Sequence, residues 1–284
     1  LRGVAPEVVI DLIASSGASA RDLVDVFRGV ARRSVVVSSM DVYRATAVLH
    51  RLDPGPLEPL PLTEESPLRS TPQVYPPAQL RVLQGVFGWL DEGYDKVAVE
   101  REAQTAADLP ATILRLPMVY GPGDPLHRCF PVLKRILDGR RTIPFEERLA
   151  RWRSPRGYVE NVAAAIALAA TSQRAAGRTY NVGEAEAFSE LEWARLIARA
   201  MGWTGQIFSV SRERAPAHLV NPANLDQHWV ADTSRIRTEL GYREPVPRAE
   251  AIRQTIEWER VHLPAQWDRA QFDYATEEGL EPGA

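Results

Sequence analysis

A phenol and an ammonium group stand two positions apart near the middle of the chain, at Tyr94 and Lys96. An unperturbed phenol titrates near ~10, and a neighbouring ammonium favours the phenolate and so lowers that pKa. Such a tyrosine can act as a general base toward a substrate hydroxyl. A helix is predicted from here through about Ala107, and positions i and i+2 of a helix point in roughly opposite directions. Tyr94 therefore either reaches the lysine's site from the turn before the helix, or is a surface residue that caps the helix.

A serine hydroxyl, Ser39, stands where a short buried strand is predicted to end. The run Ser34–Val37 is apolar and β-branched, and a second apolar run, Ala111–Leu116, leads into a tight loop. Ligands bind at the carboxyl ends of strands in open parallel sheets. We therefore expect Ser39 and Lys96 to line one cleft with the loop Pro117–Gly121. The alternative for Ser39 is a serine that merely ends its strand.

The elements that position these groups alternate between strand and helix. VVIDLIA at 8–14 predicts a first strand, and Arg21–Ala31 carries a helical stripe of apolar residues. A strand–helix–strand unit normally makes a right-handed parallel crossover. We expect an α/β fold, with a smaller α/β lobe formed mainly after Gly121. Its short parallel sheet should contain strands at about Val8–Ile13, Ser34–Ser38 and Ala111–Leu116.

At least six blocks of the chain, in order, resemble one family. They include VVIDLIA at 8–14, SSMDVYR at 38–44, LRLPMVYGPGD at 114–124, RGYVENVAAAIALAA at 156–170, TYNVG at 179–183 and QHWVADTSRIRTELGY at 227–242. The family is that of the extended short-chain dehydrogenase/reductases, the NAD-dependent epimerase/dehydratases. The resemblance extends from about Val8 to His262. It implies a Rossmann-type fold and an enzyme of the epimerase, dehydratase or reductase kind.

The resemblance also implies roles for the candidate catalytic residues. Ser39 matches the serine or threonine that hydrogen-bonds the substrate oxygen, and Lys96 matches a helix lysine. Family members carry a catalytic tyrosine four residues before that lysine, where this chain has Glu92. Tyr94 is then the candidate for the base. Asp41 stands where some dehydratases carry an acid, but its neighbour is a methionine, which leaves the usual acid pair incomplete.

NAD or NADP is the cofactor that the resemblance implies. The residues expected to contact it are Ile13, Ala14, Ser38, Lys96, Pro117 and Val119. A dinucleotide-binding fold normally begins with a strand, a Gly-rich turn and a helix that holds the diphosphate. No such Gly-rich motif occurs in this sequence, and the blocks of the family's first three strands are not found. We therefore expect an incomplete Rossmann-type sheet that binds the cofactor weakly or not at all.

This incompleteness leaves several interpretations open. The sequence is a fragment, a mis-started reading frame or a naturally shortened protein. Its function is that of the family enzymes, acting on a sugar nucleotide or a similar hydroxyl compound, or that of a non-catalytic relative serving as a binding or scaffold module. A truncated product without a function of its own is the third reading. The first predicted strand presents an open edge, which favours a homodimer or aggregation.

The resemblance divides the chain into three parts. Residues 1–125 form a partial dinucleotide-binding core, to which 156–183 return, and 126–263 are mainly a substrate lobe. Residues 264–284 are polar and acidic, and we expect a disordered tail. Six arginines between positions 140 and 156 either face a substrate diphosphate or form a solvated basic face. The stretch LTEESPL at 62–68 resembles a family loop near the substrate cleft, or it is a mobile surface loop.

The composition narrows the classes of partner. A net charge of −3 provides no basic footprint for nucleic acid, and no apolar run is long enough to span a membrane. Acidic residues interrupt the first apolar run, so we expect no signal peptide. The single cysteine suits a reducing cytoplasm, and the five histidines lack zinc-ligand spacing. A small-molecule substrate is the expected partner, and no metal is predicted.

Overall fold

Strands and helices alternate along the computed structural model, which describes residues 6–281. The strands are β1 (Val8–Asp11), β2 (Arg33–Ser39), β3 (Ala111–Leu116), β4 (Met118–Tyr120), β5 (Thr142–Glu146), β6 (Arg156–Tyr158), β7 (Thr179–Asn181) and β8 (Gln206–Val210). The α-helices are α1 (Gly17–Phe27), α2 (Arg44–Leu49), α3 (Pro77–Val86), α4 (Lys96–Ala103), α5 (Phe130–Leu137), α6 (Glu147–Arg151), α7 (Val159–Thr171), α8 (Glu190–Ala200), α9 (Ser234–Leu240), α10 (Arg248–Val261) and α11 (Tyr274–Glu277).

The main sheet contains four parallel strands in the order β1-β2-β3-β7. Its central strands are apolar on both faces because helices cover both sides. Val36 and Ile113 pack with α1 and α4 on one face, whereas Val35 and Leu114 pack under α7 on the other. The α/β fold and the three strands predicted for its core are confirmed.

The strand β1 ends earlier than predicted. The Asp11 carboxylate accepts hydrogen bonds from the backbone amides of Ile13, at 2.8 Å, and Ala14, at 2.9 Å. This local turn takes the two amides away from the ladder. Ile13 and Ala14 therefore lie beyond the strand, and α1 begins at its N-cap Ser16, whose hydroxyl accepts the Ser19 amide.

A smaller lobe follows the main sheet in the chain. Its strands β5 and β8 pair in parallel, and helices α5, α8 and α10 surround a core that includes Leu133, Trp193, Ile197 and Ile256. Helix α8 starts at a capping box formed by Ser189 and Glu192. The pair β4 and β6 joins this lobe to the sheet, because β4 directly follows β3.

The segment 265–281 is folded where the sequence predicts a disordered tail, and residues 282–284 of that predicted tail lie outside the described part of the chain. The segment contains the short helix α11, which ends at the buried residue Glu277. The Glu277 carboxylate accepts a hydrogen bond of 2.7 Å from Arg135 and lies 2.9 Å from the His218 ring nitrogen. The polar composition of the segment led to the expectation of disorder, but one of its carboxylates forms a buried ion pair. Because its partners are distant in sequence, this ion pair cannot be recognised from the local pattern.

Candidate active site

One cavity of about 400 Å³ lies at the carboxyl ends of β2 and β3. It is lined by Ser39, Lys96 and the segment Pro117–Gly121 apart from Met118, so these segments meet as predicted. The strand β4 occupies most of the segment that the sequence predicts as a loop. Ser38, Tyr94 and Val119 line it as well. The remaining wall is largely apolar and aromatic, and includes Leu12, Tyr75, Leu83, Phe87, Trp89 and Leu90.

The two serines at the end of β2 have different surroundings. The Ser38 hydroxyl donates a hydrogen bond of 2.6 Å to the buried carboxylate of Glu100. The half-buried Ser39 hydroxyl accepts the backbone amide of Asp41 at 3.1 Å, which leaves its own proton for another acceptor. Ser39 is therefore the serine of this pair that can donate to a ligand in the cavity.

Lys96 is buried in the cavity wall and holds two strand ends together. Its ammonium donates to the backbone carbonyls of Ala14, at 2.6 Å, and Val37, at 3.0 Å. The indole ring of Trp89 lies 5.6 Å away. Burial lowers the pKa of Lys96 to about 8, although the negative charges of Asp41 and other acids oppose the shift. Two of the three ammonium protons are thus already engaged by the main chain.

Tyr94 lies in the turn before α4, which is the alternative in which it reaches the site of Lys96. Helix α4 is capped by Asp95, whose carboxylate accepts the Val97 amide. Tyr94 therefore lies outside the helix, and the opposite directions of positions i and i+2 of a helix do not apply to Tyr94 and Lys96. Its phenol donates a hydrogen bond of 2.6 Å to Asp41 Oδ2. Burial, followed by the charge of Asp41, raises the pKa of Tyr94 well above its ordinary value.

This pKa corrects the expectation that a neighbouring ammonium makes Tyr94 a base. The two hydrogen bonds of Lys96 go to carbonyl oxygens, while Tyr94 faces a carboxylate. A carboxylate stabilises the neutral phenol by accepting its proton, and it destabilises the phenolate by repulsion. Tyr94 is therefore a protonated hydrogen-bond donor at neutral pH.

The loop after β3 approaches the cavity through a backbone conformation that requires glycine. Gly121 has a φ of +140°, and a Cβ at this position would lie 2.6 Å from a methyl carbon of Val159. The close approach lets the loop pack against the start of α7. Arg128, further along the same loop, lines the cavity and donates to the Val119 carbonyl at 2.7 Å and to Asp124 at 2.5 Å.

Ile13 and Ala14 do not line this cavity. They lie in a neighbouring depression with Ser15, Ser19 and three acidic residues, which are Asp11, Asp22 and Asp91. Four backbone amides that follow β1 are already bonded, those of Ile13 and Ala14 to Asp11 and those of Ser15 and Ser16 to the Ser19 hydroxyl at 3.0–3.1 Å. A diphosphate needs free amides and positive charge, so this depression does not fit the diphosphate of a dinucleotide.

The arginines between positions 140 and 156 do not converge on the cavity. Arg156 is buried in an ion pair with Glu190, Arg148 pairs with Asp226 at the surface, and Arg140 lies over the ring of Tyr274. The loop at 62–68 is likewise outside the cavity, and it is anchored, because Leu62 bonds Val230 and Glu64 accepts the Asn181 amide.

Sequence reasoning missed several residues of the cavity wall. Tyr75 comes from the proline-rich passage, and Phe87 and Trp89 come from the segment after α3. The aromatic run just before Tyr94 was the available signal, since large apolar side chains close to a candidate site often line it. Within residues 6–281 no helix is long and apolar enough to cross a membrane, and that same part of the chain holds no cluster of three metal-ligating side chains.

Comparison with known proteins supports the family resemblance. Residues 92–183 match the model of the NAD dependent epimerase/dehydratase family. A dTDP-glucose 4,6-dehydratase of Streptomyces niveus is 28% identical over 163 residues, which are 56% of this chain and 44% of that protein. The matched region thus spans less than half of the length of this relative.

Solved structures of the same kind share the fold. A dTDP-glucose 4,6-dehydratase from Bacillus anthracis in complex with NAD superposes with a TM-score of 0.61 and 16% identity, covering 90% of this chain and 73% of that one. MoeE5 in complex with UDP-glucuronic acid and NAD gives 0.60 and 19%, covering 90% and 79%.

The chain is therefore an α/β protein with a Rossmann-type parallel sheet and a ligand cavity at its carboxyl edge. Its central part resembles the NAD dependent epimerase/dehydratase family, and its fold is that of the solved structures named above.

Proposed function

We propose that this chain contributes the reaction cavity of an NAD(P)-dependent epimerase, dehydratase or reductase that acts on a hydroxyl of a nucleotide sugar or a similar compound. The observation that carries the proposal is the single cavity in which Ser39, Tyr94 and Lys96 meet the loop Pro117–Gly121. These three hydrogen-bonding side chains converge there in a largely apolar enclosure, which is the usual composition of a ligand site. Sugar-nucleotide ligands in the solved relatives favour this substrate class.

The cavity fits the nicotinamide end of the cofactor. Ser38 and Lys96 offer polar groups, and the backbone beside Pro117 and Val119 offers a hydrogen-bonding edge within an apolar wall. When bound there, the oxidised nicotinamide supplies an acceptor for hydride. The diphosphate lacks a cradle among residues 6–281, because the amides after β1 are already bonded and three carboxylates surround them.

In this arrangement the chain's own residues orient the substrate. The Ser39 hydroxyl donates to the reacting oxygen, and the neutral Tyr94 phenol contacts the same oxygen. The apolar wall of Leu83, Phe87 and Leu90 excludes water, which strengthens these hydrogen bonds in a low dielectric. Lys96 holds the strand ends in register and bears its charge beside the cavity.

A non-catalytic binding module is the second candidate. The observation that favours it is the engagement of the groups that would do chemistry, since Lys96 is bonded to two carbonyls and Tyr94 to a carboxylate. A module of this kind binds a ligand in the cavity and converts nothing, so turnover separates the two candidates.

The test is calorimetric titration of the purified chain with NAD, NADP and nicotinamide mononucleotide. We expect the mononucleotide to bind about as tightly as NAD, because the described residues recognise only the nicotinamide half. Two missing charge-assisted hydrogen bonds would make binding on the order of a hundredfold or more weaker than in a complete site. Incubation with NAD and UDP-glucose, UDP-glucuronic acid or dTDP-glucose should then convert the sugar. Absence of conversion together with clear binding would favour the binding module.

A further inference from the structure

Asp41 is a buried carboxylate directly behind the cavity. Its side chain is fully shielded from solvent, and it lies in the turn between β2 and α2. Two phenols of the cavity wall donate to the same oxygen, Oδ2: Tyr94 at 2.6 Å and Tyr75 at 3.1 Å. The other oxygen, Oδ1, has no hydrogen-bond partner among residues 6–281. A buried carboxylate with an unfilled acceptor site can take up a proton at little structural cost.

Arg69 places a positive charge beside Asp41. Its Nε donates to the Asp41 main-chain carbonyl at 3.0 Å, and its Nη2 lies 3.9 Å from Oδ1. The same Nη2 lies 2.9 Å from Asp95, the cap of α4. The guanidinium therefore ties the carboxylate to the turn that carries Tyr94, and the Tyr94–Asp41 geometry is held from both ends.

We propose that Tyr94 and Asp41 form a proton relay in which the phenol contacts the substrate hydroxyl and the carboxylate receives the proton. The inference rests on the proposed function and assigns its proton acceptor. Tyr94 is the catalytic residue, and Asp41 is a positioning residue that acts through it. The relay replaces a tyrosine that a lysine makes basic. Such a tyrosine would stand four residues before Lys96, where this chain has Glu92.

The relay balances without a phenolate. As the C–H bond of the substrate carbinol breaks, its electron pair leaves as hydride to an oxidised nicotinamide dinucleotide. The hydroxyl proton passes to Tyr94 Oη, and the original phenol proton passes to Asp41 Oδ2. The products are a carbonyl compound, the reduced dinucleotide, a neutral Tyr94 and a protonated Asp41. The high pKa of Tyr94 is then no obstacle, because the phenol never carries a full negative charge.

The proton that reaches Asp41 enters a cluster of charged and titratable groups. The titratable and charged groups that face Asp41 are Tyr75 and Arg69 from the proline-rich passage, Tyr94 and Lys96 around the start of α4, and His50 after α2.

The experiment compares Tyr94→Phe, Asp41→Asn and the control Tyr274→Phe, with UDP-glucose, UDP-glucuronic acid and dTDP-glucose as substrates and NAD present. Tyr274 also donates to an aspartate, Asp138, at 2.6 Å, but outside the cavity. We expect kcat to fall on the order of a hundredfold in both site variants, with KM nearly unchanged. Tyr274→Phe should keep the wild-type kcat and KM.

A second measurement is independent of turnover. Fluorotyrosine incorporated into the whole chain, with Tyr94→Phe to assign its signal, reports ionisation of this phenol by fluorine magnetic resonance. Asp41→Asn should lower the pKa of the Tyr94 phenol, because the repelling carboxylate is gone. An unchanged pKa would overturn the coupling on which the relay depends, even if the Asn variant folds poorly enough to confuse the kinetics.

The failure of the relay differs from the failure of the proposed function. A wild-type chain that converts none of the three sugars overturns both. If Tyr94→Phe keeps wild-type turnover, the relay is overturned and the proposed function stands. The same holds if Tyr75→Phe is the only one of the two variants that loses turnover.

Discussion

Glu100 and Arg115 form a two-point ion pair beneath the floor of the cavity. The guanidinium of Arg115 donates to both carboxylate oxygens, at 2.9 and 2.7 Å, and the Ser38 hydroxyl donates to the first of them at 2.6 Å. Both side chains are about 95% buried. The pair connects α4 with β2 and β3, so the two strand ends that carry Ser39 and Pro117 are held relative to Lys96.

Removal of one partner of this pair should destabilise the fold strongly. In Glu100→Ala the Arg115 guanidinium stays buried without its counter-charge, which costs about 3–5 kcal/mol. The double variant Glu100→Met/Arg115→Met should be less costly than the single one, because no lone charge remains. Urea unfolding measures both. Glu250→Gln, which breaks an exposed pair with Arg253, is the control and should change stability little; a Glu100→Ala variant that resembled it would contradict the interpretation.

The depressed pKa of Lys96 predicts how stability changes with pH. Between about 8 and the unfolded value of 10.5, the unfolded chain binds a proton that the folded chain has released. The free energy of unfolding contributed by this group therefore rises with pH in that window, by roughly 2–3 kcal/mol in total. Lys96→Met should remove the rise, relative to wild type, in urea unfolding from about pH 7 to pH 10. Lys134→Met, which removes the other lysine of the chain, should retain it.

The sheet and the convergence of its loops were predictable from the sequence. Apolar β-branched runs such as Ser34–Val37 determine buried strands locally, and parallel strands end at one edge, so Ser39 and Pro117 had to meet there. The environment of Tyr94 was not predictable. Its partner Asp41 lies 53 positions away, and Arg69 arrives from an irregular passage whose path depends on long-range contacts.

The course of the chain after β1 was also beyond local pattern. The apolar run continues through Ile13, which favours a strand, yet the Asp11 carboxylate accepts the amides of Ile13 and Ala14 and ends the strand. A competition between a side-chain acceptor and a strand ladder is decided by a few kcal/mol of packing. The apolar pattern indicates the strand but not the competing Asp11 carboxylate, and for this reason Ile13 and Ala14 were expected in the cavity.

Gly121 and Gly123 provide a matched pair of substitutions in the loop of the cavity. Both have positive φ, +140° and +84°, but an added Cβ meets Val159 and Tyr158 only at Gly121. Gly121→Ala should therefore combine backbone strain with overpacking and lose about 2 kcal/mol or more, whereas Gly123→Ala pays only the strain, about 1 kcal/mol. Thermal unfolding of the two variants side by side measures the difference. Equal losses would show that the loop moves away from α7 freely.

The buried Glu277 should contribute to the stability of the smaller lobe. In Glu277→Ala the Arg135 guanidinium, which is 7% exposed, loses its carboxylate, and the cost should be about 3 kcal/mol. Glu278→Ala changes the adjacent carboxylate, 73% exposed, and should be close to neutral. Limited proteolysis should cleave the segment after Pro264 faster in Glu277→Ala only. Equal cleavage in both variants would mean that the ion pair does not hold the segment in place.

The outer edge of β1 should make the chain associate with itself. β1 pairs with β2 on one side, and within residues 6–281 no other strand pairs with it. Ile10, Leu12 and Ile13 are 45–57% exposed beside this edge. An exposed apolar edge offers unpaired amides and carbonyls to a second chain, so sedimentation velocity should show a species that grows with concentration. Ile10→Lys should shift the chain toward monomer, because a charge on an edge strand opposes pairing.

Val82→Lys is the control, because it alters an apolar residue of α3 that is 63% exposed but distant in sequence from the edge. It should leave association unchanged. A wild-type chain that stays monomeric at every concentration, or equal effects of the two lysines, would mean that this edge does not drive assembly.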